Sequence, residues 1–377
     1  MEALARTLEA PRKRAAVAAE IALLGVGTVG GALLQRIDRL HGVVPALRVV
    51  HVANSRSAIR DADGLEPSQA RDHLLHAAGA AHVVGKTVAT SSGVNPLGTF
   101  DGSTPAIVID ATGNESVAAF HADWLAQGVH VVTASKLGQG VSLARWQAIQ
   151  SACRAGRTRY GDAATVGAGL PLLRSLRALR DGGDAITGIA GVLSGSMAWL
   201  FGAYDGLRPF SGFVRQARDA GYTEPDPRED LSGEDVRRKL LILARAAGFA
   251  LEAEDVVVDS LVPKPLATCT LGDVDASLGV LDGPLRDRFQ QAYKHGEKLR
   301  HVARLDVVDG RVRARVGVES LPADHPLAAG QGTDNRVAIH CDRYDAQPLV
   351  IQGPGAGAGV TAAALLDDVL RIVRGED

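Results

Sequence analysis

The chain has few of the residues that would tie it to an oxidising compartment, a membrane or a polyanion. It holds three cysteines in 377 residues, Cys153, Cys269 and Cys341. Their odd number and wide scatter exclude a disulfide framework and the paired spacing of a zinc site, so a reducing cytoplasm is expected. The formal net charge of -2 and pI near 6.6 leave no basic field for a nucleic-acid backbone and no polybasic membrane patch. No run reaches the ~18 apolar residues that span a bilayer. Arg12-Lys13-Arg14 precedes an apolar stretch, but Glu20 interrupts it before a glycine turn, unlike an export signal. Internal repeats and low-complexity tracts are also missing. The partners that remain are small molecules and other protein chains.

What is present is an ordinary globular composition, 46% hydrophobic and 22% charged, with length for two or three domains. Short apolar runs at 21–24, 47–53, 106–110 and 129–133 alternate with helical segments, which predicts a parallel sheet with helical crossovers. Residues 61–102 are polar, with a helix predicted over 67–78 and a weak strand or two. Further helices are expected at 147–156 and 170–179, and a strand at 186–193. Runs at 299–308 and 311–318 meet at Asp309-Gly310, a hairpin signal; a third strand is expected at 336–341 and a closing helix at 362–373. The fold class is therefore α/β: a Rossmann-like, doubly wound parallel sheet followed by a second, α+β domain. The expected division is an amino-terminal extension over 1–19, a dinucleotide-binding domain over 20–160, a second domain over 161–350, and a segment over 351–377 that returns to the first domain.

Gly25-Val26-Gly27-Thr28-Val29-Gly30 follows the first apolar run and opens a helix. Glycines at these places permit a tight turn, close approach of a pyrophosphate and helix packing on the strand, and the helix amino end favours anionic oxygen. At the end of the second run stands Asn54-Ser55-Arg56, without the carboxylate that would bind a ribose 2′-hydroxyl. Arg56 suits a 2′-phosphate, so NADP is expected, with NAD as the other candidate, and Asn54 and Arg56 are expected among the cofactor-binding residues. Thr112 and Lys136 end the third and fourth runs, at the edge where open α/β sheets place ligands.

Residues 221–239, Gly-Tyr-Thr-Glu-Pro-Asp-Pro-Arg-Glu-Asp-Leu-Ser-Gly-Glu-Asp-Val-Arg-Arg-Lys, concentrate carboxylates ahead of a lysine. Ser232 is placed to cap a helix in which Asp235 and Lys239 share one face, four apart. Taken alone, that pattern reads first as a solvated capping box with a surface ion pair, and second as an array that holds an amino acid and moves a proton. Val236, Leu240, Leu243 and Ala247 give the helix a core-facing side, and Gly248 is expected to end it.

These pieces in this order resemble homoserine dehydrogenase. The likeness is carried by the 25–30 fingerprint, Lys136 after a strand, Ala164-Thr165-Val166-Gly167-Ala168-Gly169-Leu170-Pro171, Leu193-Ser194-Gly195-Ser196, the 221–239 block and Gly353-Pro354-Gly355-Ala356-Gly357 leading to Val360-Thr361-Ala362. It covers about residues 20–373 and suits a short, catalytic-core form, for which threonine feedback through an appended domain is not expected. The resemblance implies interconversion of L-homoserine and L-aspartate 4-semialdehyde with NAD(P), in a homodimer formed through the second domain. It implies Glu224 and Asp235 on the substrate ammonium, Thr165 and Gly195 at the substrate, Lys239 by the C4 oxygen, and Lys136 near both nicotinamide and substrate. Asp230 would orient these groups, while Gly357 and Thr361 would join the cofactor residues.

The match departs in three places. The family glutamate that binds a monovalent cation is Ala163 here, after Asp162, so a sodium ion on the carbonyls of Val166, Ala168 and Leu170 is left open. Ser135 replaces the usual asparagine before the lysine, and Ser196-Met197-Ala198-Trp199 replaces the usual polar pattern. Two alternatives follow: a reductase of a different small amino-aldehyde, and a catalytically silent NADP-binding regulator.

Overall fold

All six residues of β1 (Ala19–Leu24) are buried, as a central parallel strand covered on both faces requires. The computed structural model describes residues 17–76, 87–89, 95–330 and 332–376. With β2 (Leu47–Ala53), β3 (Ala58–Arg60), β4 (Thr87–Ala89), β5 (Ala106–Asp110), β6 (His130–Thr133) and β7 (Tyr160–Gly161), β1 forms a sheet in the order β4-β3-β2-β1-β5-β6-β7. The strands from β2 to β7 through β1 are parallel, and β3 and β4 add an antiparallel margin. Side chains alternate across it. Ile21, Leu23, Ile107 and Ile109 meet Leu33 and Ile37 of helix Thr28–Arg39 and Leu365 and Val369 of helix Ala358–Arg374. Ala22, Leu24, Val108 and Val131 face Trp124, Leu125 and Ile149 on the other side. The double winding expected from the sequence is thus present, and the last helix brings the chain back to the first sheet.

The second sheet contains β8 (Ile186–Val192), β9 (Val256–Val258), β10 (Lys298–Val308), β11 (Arg311–Leu321), β12 (Asp334–Cys341) and β13 (Tyr344–Pro354), in the order β13-β12-β8-β10-β11-β9. Asp309 and Gly310, both at positive φ (52° and 72°), make the turn between β10 and β11, as a two-residue hairpin requires. Leu240 and Leu243 of helix Glu234–Ala246 pack with Leu172 and Leu176 of helix Leu172–Asp181 on Ile189, Leu305 and Val316. Each fully buried leucine contributes roughly 1.5–3 kcal/mol relative to exposure.

Several local expectations are corrected. Ser232 does not cap the helix Glu234–Ala246: Gly233, left-handed at φ 80°, is the N-cap, and Ser232 Oγ accepts only the Glu234 N–H at 3.2 Å. The i,i+4 spacing of Asp235 and Lys239 survives because it depends on helical periodicity and not on the cap. At the other end, the N–H groups of Gly248 and Phe249 bond the carbonyls of Arg245 and Ala244, closing the helix as expected. β13 was not anticipated and runs past residue 350, so the expected 350/351 division falls inside a strand of the second sheet. The closing helix begins at Ala358, which places Thr361 in its first turn. Helix Pro67–His76 matches the start of the predicted 67–78 segment; the end of that segment, and residues 1–16 of the extension, lie outside the described residues.

Candidate active site

Three parallel strands deliver their carboxyl ends to one edge. The Ala111 N–H bonds the Leu24 carbonyl and the Ala134 N–H bonds the Asp110 carbonyl, so the segments after β1, β5 and β6 lie side by side. The first is the glycine turn. Gly25 has φ 95°, and a Cβ on Gly30 would stand 1.9 Å from the Gly25 carbonyl oxygen, so neither place accepts a side chain. Gly27 caps the helix with no side-chain bond and no acidic residue in its first turn, and a Cβ there would meet nothing within 4 Å. Exposed Gly27 and Thr28, half-buried Val29 and a helix amino end without a side-chain cap make a fitting cradle for a pyrophosphate.

At the end of β2, Asn54 Oδ1 accepts the N–H groups of Arg56 at 2.7 Å and Ser57 at 2.9 Å. Its amide oxygen shapes the turn, and the turn leaves Arg56 exposed. Thr112 donates both its N–H (2.8 Å) and its Oγ (2.6 Å) to Asp110 Oδ1. The other oxygen of this buried carboxylate faces His121 Nε2 at 3.1 Å and Thr133 Oγ at 3.3 Å. His121 Nδ1 in turn faces the Tyr160 hydroxyl at 2.9 Å. Thr133 Oγ accepts the Ser135 N–H at 2.9 Å, so one buried network braces both the Thr112 turn and the segment leading to Lys136. Sequence reading missed Asp110 and His121, since each looks like an ordinary residue of its element.

Lys136 and the late acidic block meet. Lys136 Nζ lies 3.3 Å from Asp235 Oδ1, and Lys239 Nζ lies 2.9 Å from Asp235 Oδ2. Lys239 also donates to the Leu193 carbonyl at 2.8 Å, which ties it to the end of β8. Burial pushes the Asp235 carboxyl up, but the two ammonium groups outweigh it and hold the acid at about 2. Asp235 is 44% exposed and Lys239 only 14%, so the cluster opens to solvent on the carboxylate side.

Comparison with known proteins fits this geometry. A model of the homoserine dehydrogenase family matches residues 171–370, and a model of the family's NAD-binding domain matches residues 25–160. A homoserine dehydrogenase from Emericella nidulans is 33% identical over 369 residues, covering 94% of this chain and 98% of that protein. The chain belongs to the homoserine dehydrogenase family. A bifunctional aspartokinase/homoserine dehydrogenase from maize is 37% identical over 93% of this chain, which spans only 38% of that relative's length. A Candida auris protein of unknown function, solved as a crystal structure, superposes with a TM-score of 0.85 at 32% identity, covering 94% of this chain and 98% of its own.

Asp230 bonds neither lysine among the described contacts; its Oδ1 accepts from Ser196 Oγ at 2.7 Å and its Oδ2 from the Glu224 N–H at 2.9 Å. Ser196, one of the departures from the family pattern, thus serves to hold Asp230. Glu224 is exposed. Ser194 Oγ caps the helix Gly195–Ala203 by accepting the Met197 N–H, and a Cβ on Gly195 would press on the Thr333 carbonyl at 3.1 Å. Thr165 is buried, with Oγ donated to the Asp162 carbonyl at 2.7 Å. Gly357 begins the last helix, where Thr361 Oγ donates back to its carbonyl at 2.8 Å.

The residues around Val166, Ala168 and Leu170 do not suit a hard cation. The Leu170 carbonyl already accepts the Leu172 N–H at 2.8 Å. The neighbouring Asp162 is already engaged by both terminal nitrogens of Arg177 and by Gln139 Nε2 at 2.9 Å. Hard cations favour charged oxygen ligands, and the carboxylate nearest in sequence to these carbonyls is already engaged.

Proposed function

We propose that the chain interconverts L-aspartate 4-semialdehyde and L-homoserine with NADP(H), as an oxidoreductase of threonine, methionine and isoleucine biosynthesis. The observation that carries this reading is the cluster of Lys136, Asp235 and Lys239 beside a fitting dinucleotide cradle. Bound NADPH would supply hydride to the aldehyde carbon. The oxygen of that carbonyl gains negative charge as hydride arrives, and a lysine ammonium that donates a hydrogen bond or its proton there lowers the barrier. Lys239, fixed by the Leu193 carbonyl and by Asp235, is assigned to that oxygen. Lys136 stands between the nicotinamide edge and the substrate. Asp235, ionised throughout the physiological range, and Glu224 hold the substrate ammonium, and Asp230 sets the Glu224 backbone. Gly25, Gly27, Thr28, Val29 and Gly30 receive the pyrophosphate, with Thr112, Gly357 and Thr361 completing the nucleotide site.

The choice of NADP rests on Arg56, exposed at the end of β2 where no carboxylate stands. A homodimer through the second domain and a cytoplasmic location complete the proposal. The three cysteines are free, in keeping with a reducing compartment.

NADPH oxidation with and without aspartate semialdehyde is the test. Turnover confined to another amino-aldehyde selects the broader reductase reading, and nucleotide binding without turnover selects a silent regulator.

A further inference from the structure

Arg245 is a fully buried guanidinium, 1% exposed, and the carboxylate of Glu252 stands off at 3.8 Å. Burial of a charge is costly unless its donors are satisfied. Here they are met by backbone. Nη1 donates to the Gln139 carbonyl, Nη2 to those of Val141 and Leu251, both at 2.8 Å, and Nε to Leu251 at 3.3 Å. Two of those carbonyls belong to the loop that follows Lys136, whereas Arg245 lies in the last turn of the helix that bears Asp235 and Lys239.

The same loop touches that helix at a second point. The Gly140 N–H bonds the Lys136 carbonyl at 2.6 Å, and a Cβ on Gly140 would stand 2.8 Å from that oxygen and 3.0 Å from the Arg238 carbonyl. Only glycine allows so close an approach. At the loop's exit, Glu252 Oε2 accepts the Leu143 N–H at 2.8 Å. Backbone groups at 139, 141 and 143 are therefore held by side chains of the second half of the chain, and the helix backbone abuts residue 140.

We propose that Arg245 is a positioning residue that docks the 136–141 loop on the helix carrying Asp235 and Lys239, and thereby fixes Lys136 against Asp235. Its catalytic consequence rests on the proposed dehydrogenase reaction; the docking itself does not. The clasp joins two elements that neither sheet would hold in register by hydrogen bonding, so losing it frees Lys136 to move by an ångström or so. A displacement of that size at a reacting group costs about 10²-fold in rate.

Zero-length carbodiimide cross-linking of the full chain, read by peptide mass spectrometry, reports the geometry without any turnover. The wild-type protein is expected to give both the Lys136–Asp235 and the Lys239–Asp235 cross-links. In Arg245→Met, Gly140→Ala and Glu252→Ala the second persists, being internal to one helix, while the first drops sharply. In the same variants kcat falls by about 10²-fold for Arg245→Met and Gly140→Ala, and less for Glu252→Ala, with NADPH affinity unchanged. Gly140→Ala, which removes no polar group, decides the matter where Arg245→Met does not fold. A folded Gly140→Ala or Arg245→Met protein that retains both the Lys136–Asp235 cross-link and wild-type kcat overturns the proposal. A wild-type protein that cross-links as expected but never turns over aspartate semialdehyde overturns the reaction instead and leaves the docking standing.

Discussion

Lys136 Nζ lies 3.3 Å from Asp235 Oδ1, a contact between the carboxyl edge of the first sheet and the first turn of a helix packed on the second. It places an ammonium from the nucleotide-binding half beside the carboxylate that Lys239 also holds, so the three groups form one charged unit that joins the two halves of the chain.

Removal of one lysine tests that unit chemically. Lys239→Ala is expected to keep the fold and lose roughly 10²- to 10⁴-fold in kcat, the range of a single acid-base group. Steady-state kinetics with aspartate semialdehyde check it, and near-normal turnover would take Lys239 out of the mechanism.

Asp235 reports on both neighbours. Burial raises its carboxyl and the two lysines lower it to about 2, so Lys136→Met, which removes one cation from the balance, should move it upward toward the ordinary carboxylate range. Carboxyl-carbon NMR titration of labelled protein measures this; an unmoved midpoint would mean that Lys136 does not face Asp235 in solution.

Cofactor choice is tested at Arg56. Arg56→Ala should lower kcat/KM for NADPH by about tenfold or more through the loss of charge-assisted bonds worth roughly 1.5–3 kcal/mol, and leave kcat/KM for NADH nearly unchanged. An equal loss with both nucleotides would make Arg56 a general structural residue of the turn.

Asp368 gives a stability signature. Burial first, and then the nearby Asp162 charge, raise its carboxyl from 3.8 to about 7 in the folded protein. A raised acid takes up its proton in the native state while still ionised in the unfolded chain. Its contribution is therefore complete below about pH 4 and lost as pH rises through about 7. Asp368→Asn, which can still accept the Ala163 N–H that Oδ2 takes at 2.9 Å, should raise the Tm relative to wild type by more at pH 8 than at pH 5. Thermal denaturation at the two pH values checks this, and equal shifts at both would exclude the titration.

Much of the architecture could be read along the chain because it follows local rules. β1 and the 25–30 turn are announced by an apolar run and glycines at steric choke points, and the β10–β11 hairpin by Asp309-Gly310. β13 escaped notice because it is an edge strand, half exposed along most of its length, so it lacks the apolar alternation that marks a strand covered by a core. Ser232 misled because a serine three places before an acid looks like a cap, while the left-handed Gly233 took the position. Asn54, expected at the nucleotide, also shapes its own turn, because its amide oxygen accepts the N–H groups of Arg56 and Ser57.

By itself the sequence determined the family, the two sheets and the alignment of Asp235 with Lys239, since periodicity and turn chemistry act within a few residues. Family likeness placed Lys136 near them, but tertiary structure alone decided its direct contact with Asp235, the bracing of the loops beneath the nucleotide edge by Asp110, and the clasp of Arg245 between loop and helix. Those contacts depend on carbonyls and carboxylates brought together from distant elements, and no local pattern encodes which buried donor will find which backbone acceptor when the sheets and helices pack.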